Sequence, residues 1–107
     1  MAVTAVCNAN VIHVTNLNAD WAWSTTLPAR GSGIRVESIQ FNPTAASDRC
    51  VMLDGASGTT IMDVTCADTT DSRVKYFYGQ KLRPVFDFSQ SVISGTSTDG
   101  HIIIMTR

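Results

Sequence analysis

A thiolate nucleophile needs an imidazole or similar base within hydrogen-bond reach. In this chain the pairing that offers itself is Cys50 with His101. Half the sequence separates them, so only the fold could join them. The plainer reading is that Cys7, Cys50 and Cys66 pack as small hydrophobes. No Gly-x-Ser-x-Gly elbow accompanies the many Ser and Thr residues. Zinc would call for cysteines paired at short spacing, as in Cys-x2-Cys, and these three are widely spaced. Asp68 and Asp71 could offer oxygens to calcium in the Ala67–Ser72 loop, but their spacing is not that of an EF-hand. Asp48, Asp54, Asp63, Asp68, Asp71, Asp87 and Asp99 fall mostly in turns, where Asp bonds nearby backbone N–H groups. The expectation is no catalytic residue, no metal and no cofactor, and therefore no enzyme.

Two other groups could bind rather than react. Arg73, Lys75, Lys81 and Arg83 flank one expected hairpin, interleaved with Tyr76, Phe77 and Tyr78. Such a mixture can stack and neutralise single-stranded nucleic acid. Strand alternation explains it more simply, with the rings inside and the charges on the wet face or against a neighbour's acidic patch. Trp21-Ala22-Trp23 puts both indoles on one face of an extended segment. They form either a core patch capped by Leu27-Pro28 or an exposed pair. An exposed pair would suit a subunit interface or the stacking of a sugar ring. Trp21, Trp23, Arg73, Lys75, Lys81 and Arg83 are the candidate interface residues, with the segment Ala2 to Cys7 beside them.

The elements that must position these residues are strands. Short β-branched and aromatic runs recur between turn signals: Val11–Leu17, Gly33–Phe41, Arg49–Leu53, Thr59–Cys66, Val74–Tyr78, Val85–Phe88 and His101–Met105. Asp54-Gly55 opens the best hairpin, between Arg49–Asp54 and Thr59–Cys66, with Met62, Val64 and Cys66 expected on its core side. The period slips near Ser38, the signature of a β-bulge or of a strand covered on both sides. Gly79-Gln80 is expected to break a strand. Pro84 demotes Lys81–Ser89 to an edge, or delays its entry into a sheet until after Pro84. Gln90–Ile93 reads as a short continuation. Ile102–Ile104 is continuously apolar, as in a central strand. The first residues pair locally, or residues 1–8 form an arm to a neighbouring subunit.

The fold expected is all-β: a jelly-roll-like sandwich of about eight short antiparallel strands in a single domain, 1–107. Of the 107 residues 44% are hydrophobic, enough for one core, while only 16% are charged against the usual quarter. A surface so poor in charge suits coverage by partners. The net charge of −1 draws the molecule to neither nucleic acid nor an anionic membrane. No apolar run approaches the ~20 residues of a membrane span. The first residues have no basic region before an apolar one, so no signal peptide is expected. Three thiols, an odd number, suit folding in a reducing cytoplasm.

The order "GIRVESIQF", "RCVMLDGASGTTIMDVT", "VKYFYGQKLRPVFDF", "SGTSTDGHIIIMTR" resembles small all-β structural proteins of tailed bacteriophages. The likeness runs from about Ile34 onward, and it transfers no functional residue. It implies a capsid decoration or cement protein on the virion, assembled in the host cytoplasm. The partner implied is the major capsid protein, and the assembly a homotrimer. The alternative is a carbohydrate- or receptor-binding sandwich of a tail or fibre, with Trp21 or Trp23 as the platform.

Overall fold

The computed structural model describes residues 4–15, 21–26, 33–55, 58–68, 70–87, 91 and 101–107. Among them are nine strands: β1 (Thr4–Asn8), β2 (Val11–Thr15), β3 (Trp21–Ala22), β4 (Ile34–Asn42), β5 (Arg49–Asp54), β6 (Thr59–Thr65), β7 (Arg73–Leu82), β8 (Pro84–Phe86) and β9 (His101–Thr106). One helical turn, Trp23–Thr26, follows β3.

The strands pair in a nested series, all antiparallel. β5 pairs with β6, β4 with β7, β3 with β8 and β2 with β9. Each pair encloses the one before it in sequence, as in one long hairpin. Two further pairings, β4 with β9 and β5 with β8, roll that hairpin up. The results are a five-stranded sheet, β1-β2-β9-β4-β7, and a four-stranded sheet, β3-β8-β5-β6. This is the jelly roll, an all-β sandwich. β1 adds to the larger sheet by a tight turn through Ala9, whose φ of 54° is left-handed. Residues 4–8 thus pair within their own chain.

The core lies between the sheets. Ile12, Val14, Ile39, Phe41, Ile102 and Ile104 point inward from the larger sheet and are fully buried. Cys50, Met52, Met62 and Phe86 meet them from the smaller one. Alternation sets these faces, and bulges reset it. Ile61 is the extra residue between Met52↔Met62 and Leu53↔Thr60. It was expected to face away from the core; the bulge turns it inward beside Met62. The slip at Ser38 is a second bulge, between Val36 and Ser38.

Gly79-Gln80 does not break a strand: β7 runs through both to Leu82, bulging at Gly79. The break falls at Arg83, and Pro84 begins β8 in the other sheet, opposite Asp54. A first strand position is where the missing N–H of proline costs least. Gly55 (φ 85°) turns the β5–β6 hairpin with its N–H donating to the Arg83 carbonyl. The Arg83 guanidinium packs where a Cβ on Gly55 would be.

Two buried polar residues fasten the connections. Asp48 is fully buried. Its Oδ2 accepts from the Thr44 N–H (2.8 Å), the Thr44 hydroxyl (2.7 Å) and the Ala45 N–H (3.1 Å). Its backbone carbonyl accepts from the Cys66 N–H. Ser91 Oγ accepts from the Val51 N–H at 2.8 Å, tying the segment after β8 to the middle of β5. The expected strand extensions at 16–17 and 88–93 (Ser91 apart) lie outside the described residues, as do 94–100.

Candidate docking surface

Inward and outward positions alternate along the larger sheet, so its outer face can be read from the registers. One row crosses all five strands: Val6, His13, Ile103, Gln40, Val74. The next is Asn8, Val11, Met105, Ser38, Tyr76. A third holds Thr15, His101 and Asn42. None of these residues is Asp, Glu, Lys or Arg. Val6 is 58% exposed, Val74 45%, Tyr76 62% and Met105 40%. His13 and His101 meet edge to face, with centroids 4.8 Å apart. Gln40 donates to Asn42 Oδ1, which also accepts from the Ser72 hydroxyl.

At one end of this face the chain spends backbone strain. Phe77, Tyr78 and Gly79 stand across from Glu37 alone. Tyr78 has a φ of 55°, a conformation costing a bulky residue roughly 1–3 kcal/mol. The residue is 78% exposed, and its ring lies near that of Tyr76, with centroids 6.2 Å apart and planes 27° from parallel. Charge borders this end. Arg35 lies opposite Lys81 and donates to the Gly79 carbonyl, and Arg107 pairs with Glu37. Past the other end, the loop before β7 carries Asp68 and Asp71. Asp71 holds Arg73 through two hydrogen bonds of 2.9 and 2.8 Å.

The residues singled out from sequence fall elsewhere. Trp21 is core, 5% exposed, so it forms no exposed platform. Trp23 opens a helical turn rather than extending the strand, and packs partly buried against the core. The rings of β7 were expected inside and its charges outside; the reverse holds for Tyr76 and Tyr78. Arg73 and Lys75 lie opposite the inward-facing Phe41 and Ile39. Because β7 is an edge strand, Lys75 can reach across the open side of the sandwich. Its Nζ donates to the Ile61 carbonyl at 2.9 Å and lies over the Phe77 ring. Arg83 is held by Asp54. Arg73, Lys75 and Arg83 are thus engaged within the chain, and Lys81 is exposed. They flank no hairpin: three of them lie along β7 and Arg83 follows it. In the N-terminal segment, 2–3 lie outside the described residues and 4–7 are in β1.

Cys50 and His101 are not brought together. Cys50 faces the core from the smaller sheet, and burial pushes its thiol far up. His101 belongs to the outer face of the larger one. Asp68 Oδ1 accepts from the Thr70 N–H and hydroxyl, and Asp71 Oδ2 from the Ala67 N–H. These carboxylates serve their own loop. Among the described residues no three Cys, His, Asp or Glu side chains cluster as metal ligands.

The hydrogen bond from Arg49 holds the Asp63 carboxyl below its ordinary value. Hydrogen bonds from Thr70 and from Arg73 do the same for Asp68 and Asp71. A carboxyl lowered by folding adds stability above its unfolded value of 3.8, and that stability is lost as pH falls through the native value. Melting temperature should therefore fall below about pH 4. Asp63→Asn, which removes one of the three groups, should flatten the fall; circular dichroism at pH 2–7 reads both. An unchanged acid limb in the variant would remove Asp63 from the account.

Val74 and Met105 were not singled out from sequence; Val6 entered only within the segment Ala2 to Cys7, and Tyr76 and Tyr78 only as rings interleaved with the basic residues. The usable signal was in β9: Ile103 and Met105 alternate with the core residues Ile102 and Ile104, yet are apolar too. No protein-family model, curated protein or solved structure matches this chain.

Proposed function

We propose that this protein is a structural docking module, working by surface contact rather than turnover, and that the assembly it serves is a virion. One observation carries the docking reading: the uncharged outer face of the five-stranded sheet, where Val6, Val74, Tyr76 and Met105 stand open to solvent. Exposed apolar side chains gathered on one uncharged face mark an interaction site. The jelly roll serves virion and lectin domains alike, so fold alone does not choose between them. The sparse charge and the likeness to phage structural proteins favour the virion. There the protein binds the capsid surface as a decoration or cement protein, in contact with the major capsid protein. Added contact area across the shell opposes the pressure of packaged nucleic acid. Purified particles should contain the protein at high, symmetry-related copy number. Absence from them would end the virion reading.

The exposed Tyr76–Tyr78 pair favours a second reading, recognition of a carbohydrate by a tail or fibre. It replaces the tryptophan platform considered from sequence. Selective binding on a glycan array, lost in Tyr78→Ala, would support it over cement.

A further inference from the structure

The geometry points to a second copy of this chain as the occupant of the outer face of the five-stranded sheet, joined by a two-fold axis lying in the plane of contact. The inference rests on the docking reading, since it assigns what covers the same face.

A two-fold contact brings a patch against itself, so the patch must be self-complementary. Like charges in its middle would forbid this. The three rows across this sheet contain none, and two of them supply Val, Ile, Met and Tyr to meet their own kind. The charges sit at the two ends, and their signs differ. Beyond Tyr78 the end carries Arg35, Lys81 and Arg107 against Glu37 alone. The other carries Asp68 and Asp71 against Arg73. A two-fold axis running across the strands reverses their direction. It lays the basic end of one copy over the acidic end of the other and keeps β7 over β7. The axis suits steering as well as packing.

The area suits a weak pairing. Five strands spaced ~4.8 Å apart, with outward positions spanning ~17–20 Å along them, give a footprint of roughly 400–500 Å² per copy. Two copies bury about 800–1,000 Å², the range of a weak, transient contact. The association is therefore concentration-dependent rather than obligate. Sheets meeting face to face pack ~10 Å apart, with strands within about 30° of alignment. At the end of the face, Tyr78 is held in a left-handed conformation with its ring outward. That strain is repaid where the ring is covered by the start of β7 in the second copy.

Sedimentation equilibrium of the full chain from micromolar to millimolar concentration tests this. Wild type should rise from one chain mass toward two. Val74→Arg places a charge in the first row and should weaken association at least tenfold, with circular dichroism unchanged. Tyr76→Arg, in the second row, is the independent check if Val74→Arg misfolds. Thr60→Arg, on exposed β6 of the other sheet, should leave association as it is. A monomer at every concentration overturns the proposal, and so does a dimer or trimer indifferent to both Val74→Arg and Tyr76→Arg. Monomers that bind purified shells, with binding lost in Val74→Arg, also overturn it, in favour of a capsid occupant; the docking reading would survive. A dimer through this face in a protein absent from virions would sustain the pairing and end the virion reading.

Discussion

Phe86→Ala should cost about 3–5 kcal/mol of folding stability, the usual range for removing a fully buried aromatic ring. Phe86 has no exposed surface. It stands opposite Trp21 on β3 and Met52 on β5, so one ring packs between both neighbours of β8. A domain of this size has only 5–15 kcal/mol in all. The melting temperature should fall by roughly 12 °C or more. In urea the midpoint should drop with little change in slope, since the surface exposed on unfolding is nearly the same. Trp21 lies against the cavity, so its fluorescence should shift in the folded variant. A loss under about 1 kcal/mol would mean that the smaller sheet collapses over the gap, or that β8 is not packed as described.

Asp48→Ala should cost about 3 kcal/mol or more, without touching the apolar core. One carboxylate oxygen serves three donors in the connection between β4 and β5. A hydrogen bond to a charged group contributes about 1.5–3 kcal/mol, and buried donors left unpaired cost more than the bond they lose. Asp48→Asn keeps an acceptor oxygen in place and should cost less than the alanine variant. That ordering separates the hydrogen-bond role from simple bulk, and urea unfolding of the two variants reads it. Equal losses would show that charge, not acceptor geometry, holds the turn.

Much of the framework was legible because the signals were local. The β5–β6 hairpin announced itself through Asp54-Gly55 between apolar runs, and the bulge near Ser38 through a slipped period; Pro84 marked an interruption, but the strand it opens is neither an edge nor delayed beyond it, since β8 starts at Pro84 between β3 and β5. The orientation of β7 was not. Val74, Tyr76 and Tyr78 make one plausible inner face and Phe77 with two lysine and arginine stems the other, and both obey alternation. The register against Ile39 and Phe41 decides the matter, and register is long-range information. An edge strand also tolerates inward charge, because a side chain as long as Lys75 can lie across the opening and satisfy its ammonium on Ile61. Trp23 misled for a similar reason. Two indoles at i and i+2 share a face only while the strand lasts, and β3 ends at Ala22. The candidate surface was obscure because it is assembled from five strands, of which β1 and β2 contribute one apolar outward residue each and β4 none. Only β9, apolar on both faces, bore a visible trace.

The nesting of the strand pairs also sets an order of events during synthesis. β5 and β6 can close as soon as both have left the ribosome, and each later pair then closes a loop already shortened by the one inside it. β2 has the longest wait, because His13 finds Ile103 opposite it only once β9 has been made. At 5–20 residues per second, that leaves the β1–β2 hairpin without its neighbour for several seconds. Through that interval Ile12 and Val14 have no sheet to cover them. A nascent chain stalled before His101 should therefore be a good chaperone client and a poor candidate for release.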